Sequence, residues 1–354
     1  LKIESLDLPY ITRDLRGIGG VLRATAAHFQ VEEIPLYDPC GEGAHLYVNL
    51  TREGLTTRDV QRRLAMLVGV NDGAVGFAGM KDKYARTTQT FSINVGKADR
   101  NFIEHATALI ESQLPVAVNW AAFHGNKLKP GHLRGNRFTI TVTDFDPPAD
   151  EALGRARTIA TRLIEEGVPN FFGPQRFGGD NVSRGLAIIQ GKYREDDVWL
   201  RRLLVSSYLG YLCNLYLKRR IELDLFDRIM TGDVAKKHDT GGLFAVRDEA
   251  SEQPRYKSHE ISFTAPIYGS KMWMAEGVPG EIESTILAES GIALEQLDRL
   301  GVRGTRRLGR LLPSDLSVEL ADDGLTFRFS LPKGAYATTI MREMMKVDVP
   351  QDDY

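Results

Sequence analysis

One carboxylate in this chain stands among cations. The segment Gly79-Met-Lys-Asp-Lys-Tyr-Ala-Arg-Thr-Thr-Gln89 places Asp82 beside Lys81, Lys83 and Arg86. Cations within about 4 to 6 Å favour the ionised carboxylate, the form a nucleophile or general base requires. A surface turn whose aspartate caps or salt-bridges its neighbours has the same charge pattern, so both readings stand at this point. The second feature is an absence: Ser112 to Thr143 contains no Asp or Glu, although 47 acids in 354 residues predict about four there. His124, Lys127, Lys129, His132, Arg134 and Arg137 lie in that window, interleaved with Trp120, Phe123 and Phe138. Cations for phosphates and aromatic faces for bases suit single-stranded or looped RNA, and a solvated basic loop has the same composition.

Two further segments carry weaker signals. Arg303, Arg306, Arg307 and Arg310 read as the solvated face of a helix. In Val168-Pro-Asn-Phe-Phe-Gly-Pro-Gln-Arg-Phe-Gly-Gly179, the glycines permit close backbone approach and Phe171, Phe172 and Phe177 are expected to pack. Gln175 and Arg176 have the groups to bond a phosphate or to hold neighbouring loops, with packing the simpler role. Other chemistries lack their residues: there is no G-x-x-x-x-G-K-[ST], no H-E-x-x-H and no EF-hand loop, and the Gly17 to Leu22 string fails the dinucleotide fingerprint at Leu22. No metal, nucleotide cofactor or nicotinamide is therefore expected.

The elements that must position these residues follow from periodicity. Phe29 to Ile34 and His45 to Leu50 alternate as strands, and Thr57 caps a helix carrying Val60, Leu64 and Leu67, stopped by Asn71-Asp-Gly73. Val75 to Phe77 and Phe91 to Val95 are strands on either side of the Lys-Asp segment, which puts Asp82 at a sheet rim. Arg137 to Val142 forms another strand, followed by a helix bearing Leu153, Ala156, Ala160 and Leu163. Beyond Gly167 the chain becomes helical, most of all from Val198 to Ile221, with turn-rich stretches at Thr240 to Gly242 and Ser251 to Arg255. Strand alternation returns at Thr326 to Leu331, ahead of a helix with Ile340, Met344 and Met345. An α+β body interrupted by an insertion is the simplest organisation.

Bulk composition excludes less than it first suggests. With 45 Lys and Arg against 47 Asp and Glu, the net charge of −2 argues against a binder that works through overall positive charge. A local basic cleft remains compatible with it, since acids crowd elsewhere, as at Asp348, Asp352 and Asp353. The apolar run from Leu203 to Leu217 is too short for a membrane span and reads as a buried helix. Two cysteines without a C-x-x-C, and first residues lacking an apolar signal region, point to a reducing cytoplasm.

Four blocks together resemble the TruD-type tRNA pseudouridine synthases. They are Gly19-Gly-Val-Leu-Arg23 with Phe29-Gln-Val-Glu-Glu33; Ala78 to Gln89; Val168 to Gly178; and Leu331-Pro-Lys-Gly-Ala-Tyr-Ala-Thr338 with Arg342-Glu343. Arg134-Gly-Asn-Arg-Phe138 is a fifth, smaller match. The resemblance implies an isomerase that converts uridine 13 of tRNA to pseudouridine without metal or cofactor. It implies a catalytic pseudouridine-synthase domain, with a mixed or antiparallel sheet and helices, formed by residues 1–166 and 311–354. An α/β insertion would occupy 167–310. Asp82 matches the family's catalytic aspartate, and Phe29, Asn136 and Phe138 match its active-site Phe, Asn and Phe. Phe138 is expected to stack on the target base and Asn136 to bond its edge or order the aspartate loop. Tyr336 falls where relatives often have Phe, and Arg23 where Lys is usual; Arg23 would contact Asp82 or a phosphate. Ala26-Ala-His28 replaces the usual Pro-Glu-Asp.

With Lys81 added, these form the expected substrate site, and Lys83, Arg86, Lys127, Lys129, Arg134 and Arg176 are candidates for the RNA backbone. The expected partner is tRNA, met by a monomer away from any membrane. The alternative is a non-catalytic tRNA-binding or folding chaperone of the same fold; a metal-dependent RNA hydrolase is a more distant rival.

Overall fold

The computed structural model describes residues 6–97 and 100–347, so Asp348, Asp352 and Asp353 lie outside the described residues. In chain order the first elements are β1 (Gly19–Leu22), β2 (Phe29–Pro35), β3 (His45–Arg52), α1 (Thr57–Val68), β4 (Val75–Phe77) and β5 (Arg86–Asn94). Then come α2 (Arg100–Gln113), β6 (Val116–His124), β7 (Leu133–Phe145), α3 (Ala149–Glu166), β8 (Val168–Pro169), α4 (Asn181–Ile189) and α5 (Val198–Glu222). The middle continues through β9 (Val234–Lys237), β10 (Leu243–Ala245), α6 (Glu249–Lys257), β11 (Ile261–Ile267), α7 (Gly277–Glu289) and α8 (Leu294–Arg299). The last elements are β12 (Thr305–Leu308), β13 (Arg310–Leu311), β14 (Ser317–Ala321), β15 (Gly324–Pro332) and α9 (Ala337–Met345). The architecture is α+β.

Two compact units share the chain. The sheet unit comprises residues 17–160 and 313–334 and holds a nine-stranded mixed sheet in the order β14-β15-β7-β2-β5-β3-β6, with β1 on β7 and β4 on β5. β2 and β5 run parallel and the other neighbours antiparallel. Because side chains alternate along a strand, one face of β3 and β5 carries Leu46, Val48, Leu50, Phe91 and Ile93. They pack with Val60 and Leu64 of α1 and Ile110 of α2. The start of α1 differs from the sequence expectation. Thr56 is the cap, because Asp59 three residues on returns a carboxylate to its N–H and closes a capping box. The helix ends at Gly69 with φ 73°, before the Asn71 turn.

The other unit contains residues 6–16, 161–312 and 335–347 of the described chain. A four-stranded sheet, β10-β9-β11-β12, packs with α5, which is buried on most sides of its length. The sequence boundaries expected at 166/167 and 310/311 fall near the contact boundaries at 160/161 and 312/313, but 6–16 and α9 group with the middle segment. These two segments are tied to each other: the Glu343 carboxylate accepts from Ile11 N–H, Thr12 N–H and the Thr12 hydroxyl, while Arg342 donates to the carbonyls of Leu8 and Pro9.

Two local expectations fail here. Ser251 to Arg255 is helical within α6, nucleated by the Asp248 cap on Ala250 N–H despite Pro254 inside the helix. The arginines at 303–310 are not a helix face. Arg306 and Arg310 lie on β12 and β13, 7% and 1% exposed, where Arg306 pairs with Glu283 at 2.6 Å and Arg310 donates to the carbonyls of Tyr256 and Ile261. A buried guanidinium needs acceptors on all sides: β11 supplies Thr264 to Arg306 and Ile261 and Ser262 to Arg310, and Glu283 and the Tyr256 carbonyl add to them. No helix among the described residues is long and apolar enough to cross a membrane.

Candidate functional site

Asp82 lies in the loop between β4 and β5, at the sheet rim. Its Oδ1 accepts the Tyr84 N–H at 3.0 Å, a local turn that fixes the carboxylate's direction. Its Oδ2 lies 2.9 Å from Arg23 Nη2, yet takes no hydrogen bond although buried. The guanidinium is close enough for an ion pair but lies off the hydrogen-bonding line. That leaves a charge-paired oxygen whose lone pairs are not engaged by a donated hydrogen. Arg23 follows β1 in the left-handed region, φ 61°, which costs a non-glycine residue about 1–2 kcal/mol. Its guanidinium carbon sits 4.2 Å from the Phe29 ring centroid, so an aromatic face holds the cation that holds the carboxylate.

The alternation of β2 and β7 sets the floor. Phe29 is edge-on to Phe138 at 6.4 Å, and Phe138 stacks on Phe329 of β15 at 5.4 Å. All three rings are buried. Asn136, two residues before Phe138, shares its face, and its side-chain Oδ1 is buried with no hydrogen-bond partner among the described residues.

The loop is anchored from below by groups the charge pattern did not single out. Lys81 turns inward: Nζ donates to Glu33 at 2.9 Å, with both side chains at most 4% exposed, and its N–H donates to Thr57 Oγ1. Thr57 donates in turn to Gln89, whose amide reaches the Gly79 carbonyl. Arg52 also donates to Thr57, and burial pushes its pKa down to about 10. Lys81 is thus an anchor of the loop and not an open substrate cation, a correction with a simple cause. Successive side chains of an extended loop point to opposite sides, so when Asp82 faces outward Lys81 faces in.

The other expected cations divide. Lys83 is exposed on the same loop, near the Tyr84 ring, between Met80 and Tyr84, which are 60% and 46% exposed. Lys129 is exposed in the loop before β7 and Arg134 is exposed on β7 itself. Lys127 instead donates to the Gly73 carbonyl. Arg86 and Arg137 project from the opposite face of the sheet to Phe29 and Phe138, where they line a recess of about 310 Å³ with Gln30, Glu32, Thr51, Thr88 and Thr139. Arg176 and Tyr336 belong to the other unit, where both neighbour Phe172. The side chain of Gln175 lies outside what the structure describes.

Comparison with solved structures gives the class. A crystal structure from Methanosarcina mazei, provisionally assigned as tRNA pseudouridine synthase D (TruD), superimposes with a TM-score of 0.73 at 26% identity, covering 97% of this chain and 99% of that one. The α+β fold is that of a pseudouridine synthase. The model of the family "tRNA pseudouridine synthase D (TruD)" matches residues 5–196 and 197–344. A relative named tRNA pseudouridine synthase D in Thermus thermophilus is 43% identical over 342 residues, 96% of this chain and 92% of that protein. Its namesake in Anaeromyxobacter dehalogenans is 42% identical over 359 residues, covering 98% and 99%. This chain belongs to the TruD family.

Proposed function

We propose that this protein isomerises uridine 13 of tRNA to pseudouridine, with Asp82 as its catalytic residue. The observation that carries the reading is the Asp82 carboxylate, paired with Arg23 above Phe29 in a chain that matches its family from end to end. The reaction breaks the C1′–N1 bond, turns the uracil within the site and joins C5 to C1′; the C5 proton is lost and N1 is protonated, so atoms and electrons balance without a co-reactant. A carboxylate has two ways to begin: attack of Oδ2 on C1′, or removal of the ribose 2′-hydrogen. The target base must first leave its stack, at a cost of a few kcal/mol. The Asn136 amide suits the uracil edge, since an acceptor without a partner matches the N3–H donor. Phe29 and Phe138 are read as the apolar floor beneath it, and the exposed Lys83, Lys129 and Arg134 as contacts for backbone phosphates.

The catalytic body is read as the part bearing the large sheet, with the middle segment as its insertion. Catalysis is read as needing no metal or cofactor, and the protein as a cytoplasmic monomer. Asp82→Asn keeps the shape of the side chain and removes the nucleophile or base. It is expected to bind tRNA as the wild type does and to form no pseudouridine, measured by mass spectrometry of bulk tRNA. Pseudouridine from that variant would overturn the assignment. A substrate deuterated at C2′ separates the two openings: a primary isotope effect on turnover supports hydrogen removal, and its absence supports attack on C1′.

A further inference from the structure

A guanidinium in the second unit is held in place without the acceptors it needs. Arg176 follows a tight turn in which its N–H donates to the Gly173 carbonyl at 3.0 Å. Its Nη2 donates to Ser206 Oγ at 2.7 Å, and that hydroxyl passes its own hydrogen to the Leu203 carbonyl of α5. Its Nε is buried and makes no hydrogen bond, and it forms no ion pair among the described residues. The other arginines buried in this unit are satisfied differently. Arg220 has Asp233 at 2.7 Å, Arg306 has Glu283, and Arg310 has a ring of carbonyls and the Ser262 hydroxyl.

Arg176 also has cationic company. Its guanidinium carbon lies 5.5 Å from the Phe172 ring centroid, and that of Arg307 lies 4.0 Å from the same centroid. Burial lowers the pKa of Arg307, and the charge of Arg176 pushes the same way. The ring they share is rigidly set. The Asn214 amide, fully buried, accepts the Phe172 N–H at 2.8 Å and donates to its carbonyl at 3.0 Å. Gly210 leaves the space in which the ring lies: a Cβ there would meet it at 3.3 Å. Tyr336 closes the edge at 6.3 Å, and a Cβ on Gly173 would press on its ring at 3.1 Å. Two cations brought to one clamped ring repel each other, and a buried donor without an acceptor costs about 1–3 kcal/mol. An anion at the Nε of Arg176 supplies the missing acceptor and offsets the repulsion.

We infer that Arg176, supported by Ser206 and by the Phe172 ring it shares with Arg307, forms a phosphate-binding subsite for one phosphodiester of the RNA substrate. Two phosphate oxygens accept from Nε and from the second N–H of Nη2, the bidentate geometry that arginine offers and lysine does not. The inference rests on the tRNA-directed reading above for the source of the phosphate, and adds a binding residue remote in sequence from the aspartate loop.

The test measures tRNA affinity by filter binding across a series of KCl concentrations, on wild type, Arg176→Gln and Arg176→Lys, with thermal unfolding of each. Arg176→Gln removes the charge and, being shorter, also gives up the bond to Ser206. It is expected to weaken binding about tenfold at 0.1 M salt and to lower the log–log salt slope by about 0.7–0.9, the release of one counterion. Arg176→Lys should keep the slope and lose part of the affinity. If Arg176→Gln binds with the wild-type slope and affinity, the guanidinium only packs and the inference is overturned. If that variant fails to fold, Arg176→Lys decides: wild-type affinity from a well-folded lysine variant overturns the bidentate subsite. Wild-type pseudouridine formation is read on the same preparations. Its absence alongside a lowered slope would sink the isomerase reading and leave the subsite standing.

Discussion

The Arg23–Asp82 pair allows a quantitative test of the site. At 2.9 Å and an effective dielectric constant of about 20, the gross attraction is about 6 kcal/mol. Desolvation opposes it, because the two side chains are only 12% and 13% exposed. A net coupling of about 1–3 kcal/mol is expected, above the range of about 0–1 kcal/mol for an exposed pair. Arg23→Ala alone would mix this with loss of the Phe29 contact and of the arginine's other interactions, so the measurement is a double-mutant cycle. Arg23→Ala, Asp82→Ala and the double variant are unfolded in urea, and contributions not shared between the two residues cancel. A coupling below about 0.5 kcal/mol would show that the guanidinium does not hold the carboxylate. Turnover gives an independent check. A reacting group misplaced by about 1 Å loses about 100-fold in rate, so Arg23→Ala should fall by that order while Asp82 is intact. Arg23→Lys restores a cation of the type usual at this position in the family and should recover most of the rate. Full turnover by Arg23→Ala would refute the positioning role.

Two other predictions concern the second unit and the cysteines. Cys40 is exposed, whereas Cys213 is buried on α5 and burial pushes its thiol up to about 12. One thiol should therefore react rapidly with Ellman's reagent at pH 8 and the other only on unfolding; two rapid thiols would contradict the packing of α5. Burial, then the charges of Arg310, His259 and Lys236, lowers the pKa of His238 below its ordinary value of 6.5. The folded state then binds fewer protons than the unfolded state, so stability present above pH 6.5 is lost as pH falls through 6.5 toward the lowered folded value. The urea midpoint should decrease from pH 7.5 to 5.5, and His238→Gln should flatten part of that decrease; an equal decrease in the variant would assign the effect elsewhere.

Most elements were legible in the sequence because their periodicity is the periodicity of burial. Phe29, Val31, Phe91 and Ile93 alternate because the sheet has one apolar face, and the strand–turn–strand around Asp82 follows from that pattern. Direction was less legible than position. The charge pattern put Lys81 and Lys83 nearest to Asp82, yet its ion-pair partner is Arg23, brought in by the β1–β7 and β2–β7 pairings. Sequence neighbours on an extended loop diverge, while strand pairing unites residues far apart in the chain. Nor did composition reveal that Glu33, Thr57 and Gln89 act together beneath the loop, since each is an ordinary polar residue until burial removes water as its partner.

The near-neutral charge acquires a physical meaning from the same distinction. Arg220, Arg306 and Arg310 are buried and satisfied by internal acceptors, Lys81 is paired with Glu33, and Lys127 is tied to a carbonyl. Arg137 of the acid-free window meets Glu32 across β2 and β7. These groups count as positive charge in the sequence but have partners within the fold. Counting cations therefore overstates the surface available to RNA, and the residues to weigh are those whose donors remain unmatched after folding. By that criterion Arg176, a minor feature by composition, ranks above every lysine of the acid-free window, because a buried donor without an acceptor is a cost the fold retains until a ligand removes it.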